Sequence, residues 1–272
     1  FGNGAAIAEL TYISSYYGPS SYEITNSTFS DNEAERWGGA IIIDSGSDVE
    51  LSSVTIANNH AQKKGGGLYV NGNASLRNTL LAENTADDAG ANCLGRVDSL
   101  GYNLIGDKDD CTFYAEATDI LGSTTYGDMV DPLLGPLTDN GGYTETHALL
   151  EDSPAADKGD PNGCSDGVTE LKRDQRGENR AFDGDDDGVA VCDIGAFEAQ
   201  EIIGTYTPPS GGEGEGEGEG EGEGEVDDPE PEVEPEDPVV VDPVDPVDPV
   251  DDEEPDDVLS LIHISEPTRQ DR

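Results

Sequence analysis

The sequence has little of what most binding and catalytic chemistry uses. In 272 residues there are three His, four Cys, one Met and one Trp, and Lys and Arg together number 13 against 61 Asp and Glu. A formal charge of -48 argues against nucleic acid as a partner, because such a chain repels phosphate backbones. It attracts divalent cations instead. No apolar run reaches the roughly 20 residues needed to cross a bilayer. The four Cys form no C-x-x-C pair and lie near no His, which speaks against zinc. Phe1-Gly2-Asn3-Gly4 carries neither a basic region nor an apolar core, so it reads as no export signal.

What is present is a repeat. Ile24-Thr25-Asn26-Ser27-Thr28-Phe29-Ser30-Asp31-Asn32 leads to Gly38-Gly39-Ala40-Ile41. Leu51 to Asn59 leads in the same way to Gly65-Gly66-Gly67-Leu68, and Leu76 to Asn84 leads to Gly90-Ala91-Asn92-Cys93. The period is 27 residues and then 25. Ile24, Leu51 and Leu76 form one apolar column, and Phe29, Ile56 and Leu81 form a second. Ser27, Val54 and Thr79 stand two residues before the second column, so they are expected on the same face of one strand. Asn32, Asn59 and Asn84 fall after it, where left-handed backbone is tolerated and stacked amides can pair along a ladder. The Gly pairs open the next strand, with Ile41, Leu68 or Cys93 inward.

A short alternating strand, a corner, a Gly turn and a further strand make one coil of a parallel β-helix. The fold class read from this is all-β: a right-handed parallel β-helix (solenoid) with a disordered acidic C-terminal stalk. A leucine-rich repeat would need denser Leu and a helical return. Gly4-Ala5-Ala6-Ile7 matches Gly38-Gly39-Ala40-Ile41, so Phe1 is expected to lie inside a coil, with coils upstream of it.

Beyond Asn92 the period gives way to other ordered motifs. These are Asn92-Cys93-Leu94-Gly95, Ser99 to Leu104, Asp131-Pro132-Leu133-Leu134-Gly135-Pro136-Leu137, Asp139-Asn140-Gly141-Gly142, His147 to Leu150, Ser153-Pro154-Ala155-Ala156-Asp157, Asp174-Gln175-Arg176-Gly177 and Cys192-Asp193-Ile194-Gly195-Ala196-Phe197-Glu198. Together with the coils, over roughly Ile24 to Glu198, they resemble the bacterial choice-of-anchor Q domain. That family forms the C-terminal part of pectate-lyase-like β-helix surface proteins, often described as polymorphic outer membrane proteins. The resemblance implies an extracellular or outer-membrane-associated β-helix, a linker and a cell-envelope anchor, and it implies no enzyme activity. The anchor signal is not visible in the sequence and is expected to be missing from its C-terminal end.

Four Cys fit an oxidising compartment and allow three connectivities. Cys93 with Cys111 and Cys164 with Cys192 are the expected pairs, since each brackets one local loop. The expected divisions are β-helix coils over 1–126, C-terminal coils and a cap over 127–200, and the stalk over 201–258. Glu213 to Asp257 holds 23 Asp and Glu and no Lys or Arg, too little apolar surface to offset the entropy of ordering. Its Pro and its self-repulsion suit an extended spacer. Residues 259–272 break from that composition. Leu259 to Arg269 looks like a translated sequencing-library adapter and is set aside.

For chemistry, a lyase on such a solenoid would need clustered carboxylates and an Arg or Lys base on one outer face. Asp31, Arg36, Lys63, Lys64 and Arg77 are candidates, but the basic residues read as scattered near corners. His60 and His147 have no nucleophile suggested beside them and read as surface residues. The leading expectation is a non-catalytic extracellular module, an adhesin or glycan-binding solenoid with a polysaccharide or host-surface ligand. The alternative is a polysaccharide lyase or glycoside hydrolase. Asp183-Gly184-Asp185-Asp186-Asp187-Gly188 repeats the front half of a calcium loop, with carboxylates at positions 1, 3 and 5 and Gly at 6. The expected calcium ligands are Asp183, Asp185, Asp187 and the Val189 carbonyl, with Asp193 or Glu198 closing the shell because Ile194 holds position 12. A solvated acidic turn is the competing reading.

Overall fold

The structure, a computed structural model, describes residues 20–184 and 188–201. The expected upstream part-coil around Gly4–Ile7, the stalk beyond residue 201 and the segment 259–272 lie outside the described residues, as do Asp185 and Asp187.

Alternation of apolar and polar residues makes the coils' strands, and left-handed residues end them. The first coil holds β1 (Ser20–Thr25), β2 (Thr28–Ser30) and β3 (Glu33–Ala34). The second holds β4 (Ile41–Ile43), β5 (Ser47–Ser52), β6 (Thr55–Ala57) and β7 (His60–Ala61). In the third, β8 (Leu68–Arg77) runs straight through where β4 and β5 are separate, and β9 (Leu80–Ala82) and β10 (Thr85–Ala86) follow. β11 (Cys93–Ser99), β12 (Leu104–Ile105), β13 (Cys111–Tyr114) and β14 (Ile120–Leu121) continue two of the three faces. The long sheet is ordered β1-β5-β8-β11-β13 with β4 also on β8, the second β2-β6-β9-β12-β14, and the third β3-β7-β10. Every strand pairing in them is parallel. The fold is an all-β solenoid.

The apolar columns stack in register. Ile24 sits beside Leu51 and Leu51 beside Leu76. Phe29, Ile56, Leu81, Ile105 and Leu121 line up across the second sheet. Ile41, Leu68 and Cys93 form a third column. Leu51, Leu76, Ile56 and Leu81 are fully buried, while Ile24 and Phe29 of the first described coil are partly so. Each fully buried Leu or Ile contributes roughly 1.5–3 kcal/mol, so the inner faces stabilise the stack only when coils adjoin.

Three corners recur in each of the first three coils, and all have positive φ. They are Asn26, Ser53 and Asn78 (φ 47°, 56° and 47°), then Asp31, Asn58 and Glu83 (56°, 59° and 59°), then Gly38, Gly65 and Gly90 (61°, 68° and 69°). The first set corrects the expectation of one strand from Ile24 to Phe29. A left-handed residue ends the hydrogen-bonded ladder there, and Ser27, Val54 and Thr79 lie between strands. The second set corrects the ladder corner, because the left-handed residue is the one before each of Asn32, Asn59 and Asn84. Their amides are turned into the stack instead. At Gly66 a Cβ would run into the carbonyl oxygens of Thr85 and Ala91, so coil-to-coil contact requires glycine there.

The C-terminal segment differs from the expected further coils and cap over 127–200. Among the described residues it holds only isolated antiparallel bridges, such as Leu134 to Leu149 and Thr138 to Thr146. It lies against the outside of the second sheet. Leu80 and Leu104 point outward from that sheet, yet both are fully buried, packed with Leu149, Ala155, Ile194 and Phe197. Its Pro, Gly and Asp content favours turns over ladders.

Candidate functional site

The C-terminal segment closes one broad face and so decides which face a partner can reach. Irregular backbone needs acceptors for its amides, and four buried carboxylates supply them. Asp157 accepts from the Gly184 and Val191 amides, and Asp174 from those of Arg176, Glu178 and Glu198. Asp193 accepts from the amides of Asp157 and Ala199, and Glu198 from those of Phe182 and Asp193. Arg176 pairs with Asp174 at 2.7 Å, and Arg180 with Glu198 at 3.4 Å. Burial pushes the Asp193 carboxyl well above its ordinary value, and the Glu198 charge adds to this. Burial also raises Glu198, against the opposing pull of Arg180, and lowers the Arg180 guanidinium.

The segment also reaches the solenoid's own corners. Asn78 Nδ2 donates to the Asp193 carbonyl at 2.9 Å, and Arg180 Nη2 to Asn26 Oδ1 at 2.8 Å. His147 is buried rather than on the surface. Its Nδ1 faces the Gly135 carbonyl oxygen at 2.7 Å, and its Nε2 lies 2.8 Å from Ser30 Oγ. Since a carbonyl can only accept, Nδ1 carries a proton, and Nε2 shares a hydrogen bond with the Ser30 hydroxyl. This Ser–His contact spans 117 residues, and nothing in the sequence pairs them. With the ring 2% exposed, it pins the segment to the first described coil. A signal for the cover itself was legible: Leu80-Leu81 and Leu104-Ile105 are adjacent apolar pairs where the first two coils have Thr before the inward residue.

Away from the covered sheet, the long sheet and the corner leading into it carry an aromatic and basic cluster. Arg36 and Lys63 hold equivalent positions on successive coils, as do Trp37 and Lys64, which bridge directly. Arg36 and Lys63 therefore do stack at this corner, contrary to the scattered reading, because 27 residues is one coil, and their column continues to Asp88. Trp37 lies parallel to Tyr69, with ring centroids 5.4 Å apart and planes 13° apart, and the Arg36 guanidinium lies 4.6 Å over the Trp37 ring. Tyr69 projects outward between Ile42 and Leu94. Lys63 and Lys64 are exposed and Trp37 is 38% exposed. Lys63 meets Asp88 at 4.0 Å. Among the described residues, no carboxylate lies within ion-pair reach of Arg36 or Lys64.

The other expected site residues fall elsewhere. Arg77 pairs with Glu50 at 3.6 Å, and His60 faces Thr85 Oγ1 at 2.9 Å and Asp87 at 3.7 Å. Of the calcium set, Asp183 accepts from the Gly188 amide and Val189 is exposed. Asp193 and Glu198 are buried with their oxygens engaged, and Glu198 faces Arg180, a poor place for a cation. Among the described residues no three His, Cys, Asp or Glu converge as a metal site. The Cys pairs are Cys93–Cys111 and Cys164–Cys192, the first inside the solenoid and the second closing the C-terminal segment. Asn32, Asn59 and Asn84 form a ladder that ends on Asn92.

The family model of the Chlamydia polymorphic membrane protein repeat matches residues 26–43 and 53–71. Both matches begin at the left-handed corner, at Asn26 and Ser53, and both contain residues of the Trp37 cluster. Neither a curated protein nor a solved structure matches the chain. The β-solenoid and the repeat of a surface-protein family fit a surface module.

Proposed function

We propose that this chain is the β-helix part of a bacterial surface protein of the choice-of-anchor Q kind, acting as a non-catalytic adhesin or glycan-binding module. The observation that carries the reading is exposed Trp37 stacked on half-buried Tyr69, with Arg36, Lys63 and Lys64 around them, on the side of the solenoid away from the C-terminal segment. Exposed aromatics with adaptable polar neighbours are the usual makings of a contact surface. The matched surface-protein repeat and the two disulfides support an extracellular setting. The acidic residues of 213–257 suit a spacer that holds the solenoid off the cell. The test is binding of the full chain to immobilised pectin, alginate and chondroitin and to host cell surfaces. Saturable retention is expected with the polysaccharide unaltered. New reducing ends or unsaturated products would overturn the reading in favour of a lyase or hydrolase.

A further inference from the structure

We propose that the corner formed by Arg36, Trp37, Lys63, Lys64 and Tyr69 is a binding site for an acidic polysaccharide whose sugar rings bear carboxylates or sulfates. This rests on the surface-module reading and names the ligand class and the residues. The first argument is charge. With 61 acids to 13 bases, an exposed base without an ion pair goes against composition, and among the described residues Arg36 and Lys64 both stand so at one corner. Lys63, the third cation, has Asp88 as a partner at 4.0 Å, and an exposed contact that long is worth little. At physiological salt the Debye length is ~8 Å, so the distant acids of the chain are screened, and a ligand on the corner feels these three cations against the nearby Glu35 and Asp88.

The second argument is geometry. Successive coils rise by ~4.8 Å, so Arg36 and Lys63 stand one step apart with Trp37 and Lys64 beside them, a two-coil row of three cations and one aromatic that ends on Asp88 and Ala89 of the third coil. A linear polymer with a charge on each sugar can track such a row. Its ring faces would rest on the Trp37 and Tyr69 edges while its acid groups replace water around the cations. The fork of Arg36, now held over the Trp37 ring, can pair a carboxylate bidentately without leaving the aromatic. The third argument is uniqueness: this is the one Trp of the chain, and Trp is the side chain best suited to such a contact.

The same fact makes the test direct, because all tryptophan emission reports from the site. The full chain is titrated with oligogalacturonate, with its fully methyl-esterified form, with alginate and chondroitin sulfate oligomers, and with poly-glutamate. A saturable change in Trp37 emission is expected with at least one acidic oligosaccharide. For galacturonate, esterification should weaken it at least about fivefold, as should a rise from low to physiological salt. The double variant R36Q/K64Q should lose at least about fivefold in affinity with an unchanged melting temperature, since both side chains are exposed. Calorimetric binding undiminished in R36Q/K64Q would sink the corner while leaving the surface-module reading standing. No binding of any oligosaccharide by emission or calorimetry would overturn the corner and remove its support from that reading. An equal response to poly-glutamate would show that charge alone is recognised, with an acidic polypeptide as the partner, and would end the sugar assignment.

Discussion

Asn59 Nδ2 donates to Asn84 Oδ1 across 2.8 Å, one coil further along, and Asn59 Oδ1 accepts from Asn32 Nδ2 at the same distance. Asn59 also donates to the Phe29 and Ala57 carbonyl oxygens and accepts from the Asn32 amide. One buried side chain thus satisfies groups in three coils. Asn59→Ala should cost about 2–4 kcal/mol in urea unfolding, because it orphans several of them in a dry interior. Asn32→Ala, at the half-exposed edge of the described ladder, should cost roughly 1 kcal/mol. Equal costs would show that the ladder does not act as a stack.

The Ser30–His147 contact predicts coupling between the solenoid and its cover. Ser30→Ala and His147→Ala should each destabilise, the second more, since it also empties a buried ring site. A double-mutant cycle should return about 0.5–1.5 kcal/mol of interaction. A coupling of zero would mean that the hydrogen bond does not hold the segment.

The buried acids set the pH response. Asp193 and Glu198 have carboxyl groups raised in the folded chain, facing each other and Asp157, Asp174 and Arg180. The folded state therefore keeps protons that the unfolded chain has released, and stability is lost as pH rises through the raised values. Melting temperature should fall as pH rises above the ordinary carboxylate range, and Asp193→Asn should flatten that slope even though it lowers stability overall by orphaning the Asp157 or Ala199 amide. Asp109 and Asp166 act in the opposite sense. Their hydrogen bonds to Thr125 and Thr169 hold those carboxyls below the ordinary value, so their contribution disappears as pH falls. A melting temperature that climbs steadily from pH 5 to pH 8 would contradict the assignment.

Calcium binding at 183–189 is decided by titration of the full chain. The expected outcome is a binding heat and a raised melting temperature in millimolar calcium, both abolished by Asp185→Ala. Glu198→Gln should leave calcium affinity unchanged, because that carboxylate is turned inward to Arg180 and the Phe182 and Asp193 amides. Neither heat nor stabilisation in excess calcium would sink the site.

How much was legible follows from what each residue meets. In the coils, Leu51 meets Leu76 and Ile24 because a fixed period carries the same column to the same place. Any regular stack of 25 to 27 residues buries that column and leaves its neighbours outside. The sequence by itself therefore determined the solenoid, its inner columns, its amide ladder and the acidic character of the chain. It also contained the 27-residue step from Arg36 to Lys63, which lies outside the apolar columns that define the repeat.

Tertiary structure alone decided the rest. From Asp131 to Glu198 no period exists, and the backbone is held by carboxylates that accept whichever amide folding brings to them, as Asp174 does for Glu198 and Asp157 for Gly184. Such pairings are neither local nor periodic, so no spacing announces them. The same holds for the contact of Ser30 with His147. It holds too for the exact corners of the coil, where the left-handed residue fell on Asp31, Asn58 and Glu83 rather than on the Asn that follows. Backbone geometry there answers to the stacking of whole coils, and the local preference of one side chain is too weak, at about 1–2 kcal/mol, to oppose it.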